Sequence, residues 1–105
     1  MPKLSEAELE AALALLPGWQ VAAGQLKKQY SLKDFAAAIA FVNQVAQIAE
    51  AAAHHPDIVI NYARVTLGTS THSLGSVITE KDTALATQIE QAYAATSALP
   101  AEQTR

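Results

Sequence analysis

No cysteine occurs among the 105 residues, which removes disulfides, thiol nucleophiles and thiolate metal sites from consideration. Charge is scarce too: Asp, Glu, Lys and Arg make up 16% of the chain, below the roughly 25% of an average soluble protein. The net charge of −3 is mildly acidic and gives no electrostatic reason to expect nucleic acid or an anionic membrane as partner. No run reaches the roughly 20 apolar residues of a membrane span, and the opening MPKLSEAELE has no apolar signal segment. A soluble, cytoplasmic protein with neither a membrane nor a nucleic-acid partner is the expectation. There is no internal repeat, and the only low-complexity tracts are alanine runs.

Half the residues are hydrophobic, but many of those are alanine, so the core should be thin and rich in helix. The length fits a single domain over 1–105, with about 97–105 as a frayed C-terminal tail. Ser5-Glu6-Ala7-Glu8 reads as a capping box, followed by Leu9, Leu13 and Leu16 at helical spacing and a stop at Pro17-Gly18. Trp19 to Ala22 and Gln25 to Leu32 form a predicted hairpin around Ala23-Gly24, with Leu26, Tyr30 and Leu32 on its dry face.

Asp34 caps a second predicted helix, in which Phe35, Ile39, Val42, Ala46, Ala49 and Ala53 trace one face, widened by Phe41, Val45 and Ile48, and which runs to about His54. Asp57 to Ser70 is rich in Ile, Val, Thr and Tyr and reads as two short strands with a bend near Tyr62 to Arg64. Thr71 to Ile78 is a predicted loop. Thr79-Glu80-Lys81-Asp82 is a second capping box, opening a helix that carries Leu85, Ile89, Ala92 and Tyr93. The order α-β-β-α-β-β-α specifies an α+β fold, a four-stranded antiparallel sheet with three helices packed on one face.

All three histidines fall in one stretch, EAAAHHPDIVINYARVTLGTSTHSLGSVITEKD, from Glu50 to Asp82. Histidine is the side chain whose charge changes nearest neutral pH, so it exchanges protons there at little cost. Glu50 and His54 are four residues apart near a helix end and should touch. Pro56 disfavours helix at His55 and sends the second ring elsewhere. His72 follows the predicted fourth strand and is expected to return to the same end of the sheet.

Each feature also has an ordinary reading. The pair can be a solvated helix terminus, Glu50 a surface residue, His72 a loop histidine, Trp19 and Tyr30 core. Asp82 stands where a capping carboxylate belongs. Three histidines and a carboxylate also have the composition of a catalytic zinc site. The adjacent pair lacks the spacing of helical H-x-x-x-H ligands, so acid–base work is preferred and no metal is expected.

Taken together, these positions resemble the pterin-4a-carbinolamine dehydratase family. Its signature is an acidic or polar residue, three spacers, His-His-Pro, an aromatic a few residues on, a later histidine and a downstream Asp. Here those are Glu50, His54-His55-Pro56, Tyr62, His72 and Asp82, with Leu16-Pro17-Gly18-Trp19, Phe35, Phe41 and Thr71-His72 also similar. Where the family carries a Gly-Gly-Leu-Thr-like run, this chain reads Ser73-Leu74-Gly75-Ser76-Val77-Ile78-Thr79, and Ala63 stands where an Asn often follows the aromatic.

The resemblance implies elimination of water from 4a-hydroxytetrahydropterin to give quinonoid dihydropterin. His54 and His72 would then be proton donors, and His55 would position the pterin or accept its proton. Glu50 would orient His54 or accept from the pterin's donors, and Pro56, Tyr62 and Asp82 would complete the substrate site. It further implies no cofactor beyond the pterin substrate, a homodimer or homotetramer, and a functional link to an aromatic amino acid hydroxylase. The alternative is a non-catalytic binding or assembly protein on the same fold, a transcription-factor dimerisation cofactor or a Rubisco assembly chaperone.

Overall fold

Helix α1 (Glu6–Ala14) begins where the sequence predicts. The Ser5 hydroxyl accepts the Glu8 backbone N–H at 3.1 Å, and the Glu8 carboxylate accepts the Ser5 N–H at 2.8 Å, so two orphan donors are satisfied reciprocally. The computed structural model describes residues 3–71 and 77–98. Strands β1 (Gln20–Ala22) and β2 (Gln25–Ser31) follow. They turn at Ala23 and Gly24, both left-handed with φ of 54° and 76°, the pair of positive φ values that a tight type I′ hairpin requires.

Helix α2 (Phe35–Ala52) starts at Asp34, whose carboxylate accepts the Ala37 N–H at 2.8 Å. A second hairpin, β3 (Asp57–Asn61) and β4 (Arg64–Thr69), turns at Tyr62-Ala63, and helix α3 (Glu80–Ala98) closes the chain. It runs through Ala98, two residues into the expected tail, and 99–105 lie outside the described residues.

The sheet order is β1-β2-β4-β3, antiparallel throughout. β2 and β4 are central, in a register that sets Leu26 opposite Thr69 and Tyr30 opposite Val65. Leu26, Tyr30, Val65 and Leu67 point to one face and meet Phe41 and Val45 of α2 and Leu85 and Ile89 of α3, all essentially without solvent contact. α1 covers the side of this core with Leu9 and Leu13. The three helices therefore share one face of the sheet, as the α+β reading expects. By length and mean hydropathy (1.3) α2 would pass for a membrane span. Its buried stripe of Ala38, Phe41, Val45 and Ala49 instead faces the core.

One feature of the inner face escapes the hydrophobic pattern. Strand alternation places Lys28 between Leu26 and Tyr30, facing inward. Its Nζ meets Glu90 Oε2 of α3 at 2.6 Å and the Pro17 carbonyl at 2.6 Å. The same Glu90 oxygen accepts the Trp19 indole N–H at 3.1 Å and the Tyr30 hydroxyl. Burial first, and then the neighbouring carboxylate, hold the Tyr30 hydroxyl protonated far above its usual range. Burial alone would raise the Glu90 carboxyl, but the donors from Lys28, Tyr30 and Trp19 and the Lys28 charge outweigh it and lower it.

Replacing Glu90 by Leu strands three donors, two of them on the buried Trp19 and Tyr30. We expect a loss of about 2–3 kcal/mol in unfolding free energy by urea titration. Since the folded carboxyl ionises more readily than the unfolded one, the wild-type contribution is complete above the usual glutamate value of 4.5. It is lost as pH falls through the folded value. The Glu90→Leu variant should show a shallower acid decline.

Candidate active site

The end of α2 builds the first half of the site. Ala53 adopts the left-handed conformation (φ 53°, ψ 40°) and its N–H returns to Glu50 O at 3.2 Å, while the His54 N–H returns to Ala49 O at 3.1 Å. This is a Schellman closure with alanine in the place that usually selects glycine. It lifts His54 off the helix axis, and Pro56 then commits the chain to extended backbone. β3 begins at once with Asp57, held by Gln25 Nε2 at 2.8 Å. Gln25 reaches it over Gly68, where a Cβ would lie 2.8 Å from Gln25 Oε1; any larger residue there would displace this contact.

The second half is a buried carboxylate. Asp82, in the first turn of α3, has no solvent exposure. His54 Nε2 lies 2.6 Å from its Oδ1, which also accepts the Thr69 hydroxyl at 2.6 Å. Oδ2 accepts the Thr71 hydroxyl and the Thr79 backbone N–H, both at 2.9 Å. Four donors thus saturate the carboxylate, and the positive end of α3 favours its charge. Because a carboxylate only accepts, His54 Nε2 carries the hydrogen in this contact. The other ring nitrogen, Nδ1, bonds to no described residue, and the His54 side chain keeps 11% exposure.

An imidazole held in this way has a fixed tautomer and one nitrogen available for proton exchange, while Asp82 balances the positive charge of an imidazolium. The capping and the functional readings of Asp82 are compatible, since one oxygen satisfies the helix end and the other holds His54.

The expected contact between Glu50 and His54 is not formed. Partners are exchanged: Glu50 Oε2 meets His55 Nε2 at 2.7 Å, because the left-handed Ala53 carries His54 away from the helix face. Both members of that pair are exposed, 76% for Glu50 and 62% for His55. Pro56 is half-buried beside them. Tyr62 is exposed in the β3–β4 turn with φ 57°. The length of β3, roughly 16 Å by its residue count, separates it from Pro56, so the chain does not gather Tyr62 with His54. His72 lies outside the described residues. The residues flanking its segment are joined, Thr71 N–H donating to Val77 O at 2.7 Å.

Sequence reasoning paired Thr79 with Asp82 through the capping box, but it missed Thr69 and Thr71 as partners of that carboxylate, both buried. The signal was there: Val65 and Leu67 alternate inward, and two further steps of the same period place threonines at core positions, where a buried hydroxyl demands a partner. A groove of about 550 Å³ between α1 and α3 is lined by Leu15, Ala84 and Thr87 among others. It lies on the face of α3 opposite Asp82 and includes none of the residues bonded to it. Among the described residues, no three His, Asp or Glu side chains cluster as a metal ion would need.

A four-stranded sheet backed by three helices, with an aspartate-held histidine at its rim, defines a small α+β domain. The family model described as pterin 4 alpha carbinolamine dehydratase matches residues 2–92, and the chain belongs to that family. A protein of Chloroflexus aurantiacus, provisionally named pterin-4-alpha-carbinolamine dehydratase, is 50% identical over 91 residues, spanning 87% of this chain and 97% of that one. The crystal structure of a transcriptional coactivator/pterin dehydratase from Brucella melitensis superposes with a TM-score of 0.81 at 34% identity, covering 87% and 98% of the two chains. A pterin dehydratase-like protein identified as a RuBisCO assembly factor in the alpha-carboxysome shares the fold, with a TM-score of 0.57 at 23% identity over 70% and 84%.

The two carboxylates of the site should respond differently to substitution. Asp82→Asn turns an amide NH₂ toward groups that themselves donate, and should cost about 2 kcal/mol or more in a denaturant titration. Glu50→Ala, at an exposed pair, should cost less than about 0.5 kcal/mol. Equal losses would contradict this division of the site into a buried and a surface carboxylate.

Proposed function

We propose that the protein eliminates water from 4a-hydroxytetrahydropterin to give quinonoid dihydropterin by histidine acid–base catalysis. The observation that carries this reading is His54, tautomer fixed by a buried carboxylate and one ring nitrogen unbonded by any described residue, in a chain of the pterin dehydratase family. In the reaction the N5 lone pair forms the C4a=N5 bond as the C4a–O bond breaks. The leaving oxygen takes a proton from a general acid and departs as water, and N5 loses its proton to a base. Electrons and atoms balance without any redox partner, so no cofactor is required beyond the pterin itself.

His54 and His72 act as proton donors in this scheme, and Asp82 fixes the His54 ring through Nε2. His55, kept near by Glu50 at the surface, positions the pterin or accepts its proton. Glu50 also offers acceptor oxygens to the pterin's donors. The substrate arises when a pterin-dependent hydroxylase inserts oxygen into an aromatic amino acid, which sets the functional partner class.

The competing role is assembly without catalysis. It is favoured by the exposed apolar residues of the edge strand β3, Val59 at 59% and Ile60 at 36% exposure, since an unpaired edge of this kind recruits another strand. The same edge supports self-association into a homodimer or homotetramer. Sedimentation should show an oligomer that Val59→Lys shifts toward monomer; an unchanged distribution would place the contact elsewhere.

Feeding the purified protein a carbinolamine generated in situ, and following quinonoid dihydropterin absorbance, tests the activity. A rate above spontaneous dehydration is expected, and equality with it would hand the reading to assembly. His55→Ala should remain folded and lose about 10²-fold or more in kcat/KM. Wild-type turnover by that variant would remove His55 from the mechanism.

A further inference from the structure

We propose that Thr71 is a positioning residue that sets the orientation of the Asp82 carboxylate and, through it, the ring of His54. Only its activity readout rests on the dehydratase reading. Thr71 is buried, its N–H fixed on Val77 O at 2.7 Å and its hydroxyl placed 2.9 Å from Asp82 Oδ2 and 2.8 Å from Thr79 Oγ1. The direction of this chain of hydrogen bonds follows from its ends. Asp82 only accepts, so Thr71 donates to it, and Thr79 must then donate to Thr71. Thr79 Oγ1 in turn accepts the Lys81 N–H at 3.2 Å. A three-step relay thus ends on Oδ2, each bond polarising the next.

The geometry leaves the carboxylate one setting. Oδ2 is doubly occupied by Thr71 and the Thr79 N–H, and Oδ1 is doubly occupied by Thr69 and His54. Rotation of the carboxylate about its Cβ–Cγ bond would break bonds at both oxygens at once. Without the Thr71 hydroxyl, Oδ2 retains one donor, the plane can rock, and the short contact to His54 Nε2 loosens. Thr71 and His54 bond to opposite oxygens of Asp82, not to each other. The effect of Thr71 passes through Asp82, so it shapes turnover rather than substrate affinity.

Thr71→Val, which replaces the hydroxyl by a methyl of similar size, and Thr71→Ser test this. Two readouts are taken: kcat and KM for carbinolamine dehydration, and the His54 Nε2 proton seen by NMR on protein labelled with ¹⁵N-histidine. For Thr71→Val we expect kcat about tenfold lower with KM within about twofold, since misalignment forfeits part of the general acid contribution. The Nε2 proton should move upfield or exchange away. Thr71→Ser should recover both readouts.

A folded valine variant with wild-type kcat and an unmoved resonance overturns the assignment, and so does a serine variant as impaired as the valine one, which would make the role one of packing. Should Thr71→Val fail to fold, Thr79→Ala removes the hydroxyl that feeds Thr71 while keeping the backbone N–H. It is expected to lower kcat about threefold and to shift the same resonance; unchanged values overturn the proposal. If the wild-type protein does not outpace spontaneous dehydration, the dehydratase reading fails by itself, and the resonance series alone decides whether Thr71 holds the pair.

Discussion

An ionised carboxylate out of reach of water survives in a folded protein only where donors replace its hydration. Asp82 is such a group, fully buried with both oxygens doubly bonded. Its four donors come from three separate places: His54 just past the C-cap of α2, the end of β4 with Thr71 two residues beyond it, and the N-cap of α3. Those places must therefore meet, and their meeting closes the rim of the sheet. If any one withdraws, a charge is left incompletely solvated in the interior, a larger penalty than the loss of an ordinary hydrogen bond. The same requirement that closes the fold here also aims His54.

A second carboxylate on the same face of α3 repeats the logic. Glu90 lies eight residues on, about 12 Å along the helix axis, and draws Trp19, Lys28 and Tyr30 to one oxygen. Leu85, Ala86 and Ile89 fill the space between with apolar side chains. Apolar packing tolerates small displacements, whereas two hydrogen-bonded carboxylates do not, so α3 is pinned against the sheet in a single register. Mechanically, the two adjacent histidines then differ. His54 is locked by a buried partner, while His55 shares an exposed pair with Glu50 and can turn over on the fast timescale of surface side chains. One ring of the adjacent pair is therefore fixed and the other adjustable.

Much of the architecture was legible in the chain. The capping box at Ser5, the cap at Asp34, the Ala23-Gly24 turn and the alternation of β2 each depend on neighbours in sequence, and each is found where the pattern places it. The pairing of Glu50 was not legible. Helical spacing puts it beside His54, and only the left-handed step at Ala53 passes it to His55. Spacing rules assume the helix continues, and a terminus ends their validity. Thr69 and Thr71 were visible as polar residues continuing the inward alternation of β4. Their common partner lay too far along the chain for any local rule to name.

The amino-acid sequence by itself determined the element order, the caps and turns and the grouping of three histidines with an acidic neighbour at each end, because these follow from interactions between residues a few positions apart. The face of α2 that packs inward is instead Ala38, Phe41, Val45 and Ala49, leaving Phe35 of the expected stripe 51% exposed. Only the tertiary structure decided that Asp82 belongs to His54, that Thr69 and Thr71 hold it, and that Lys28 and Glu90 meet inside. Buried polar groups take their partners from whichever elements packing brings against them, and that choice is made by the whole fold at once.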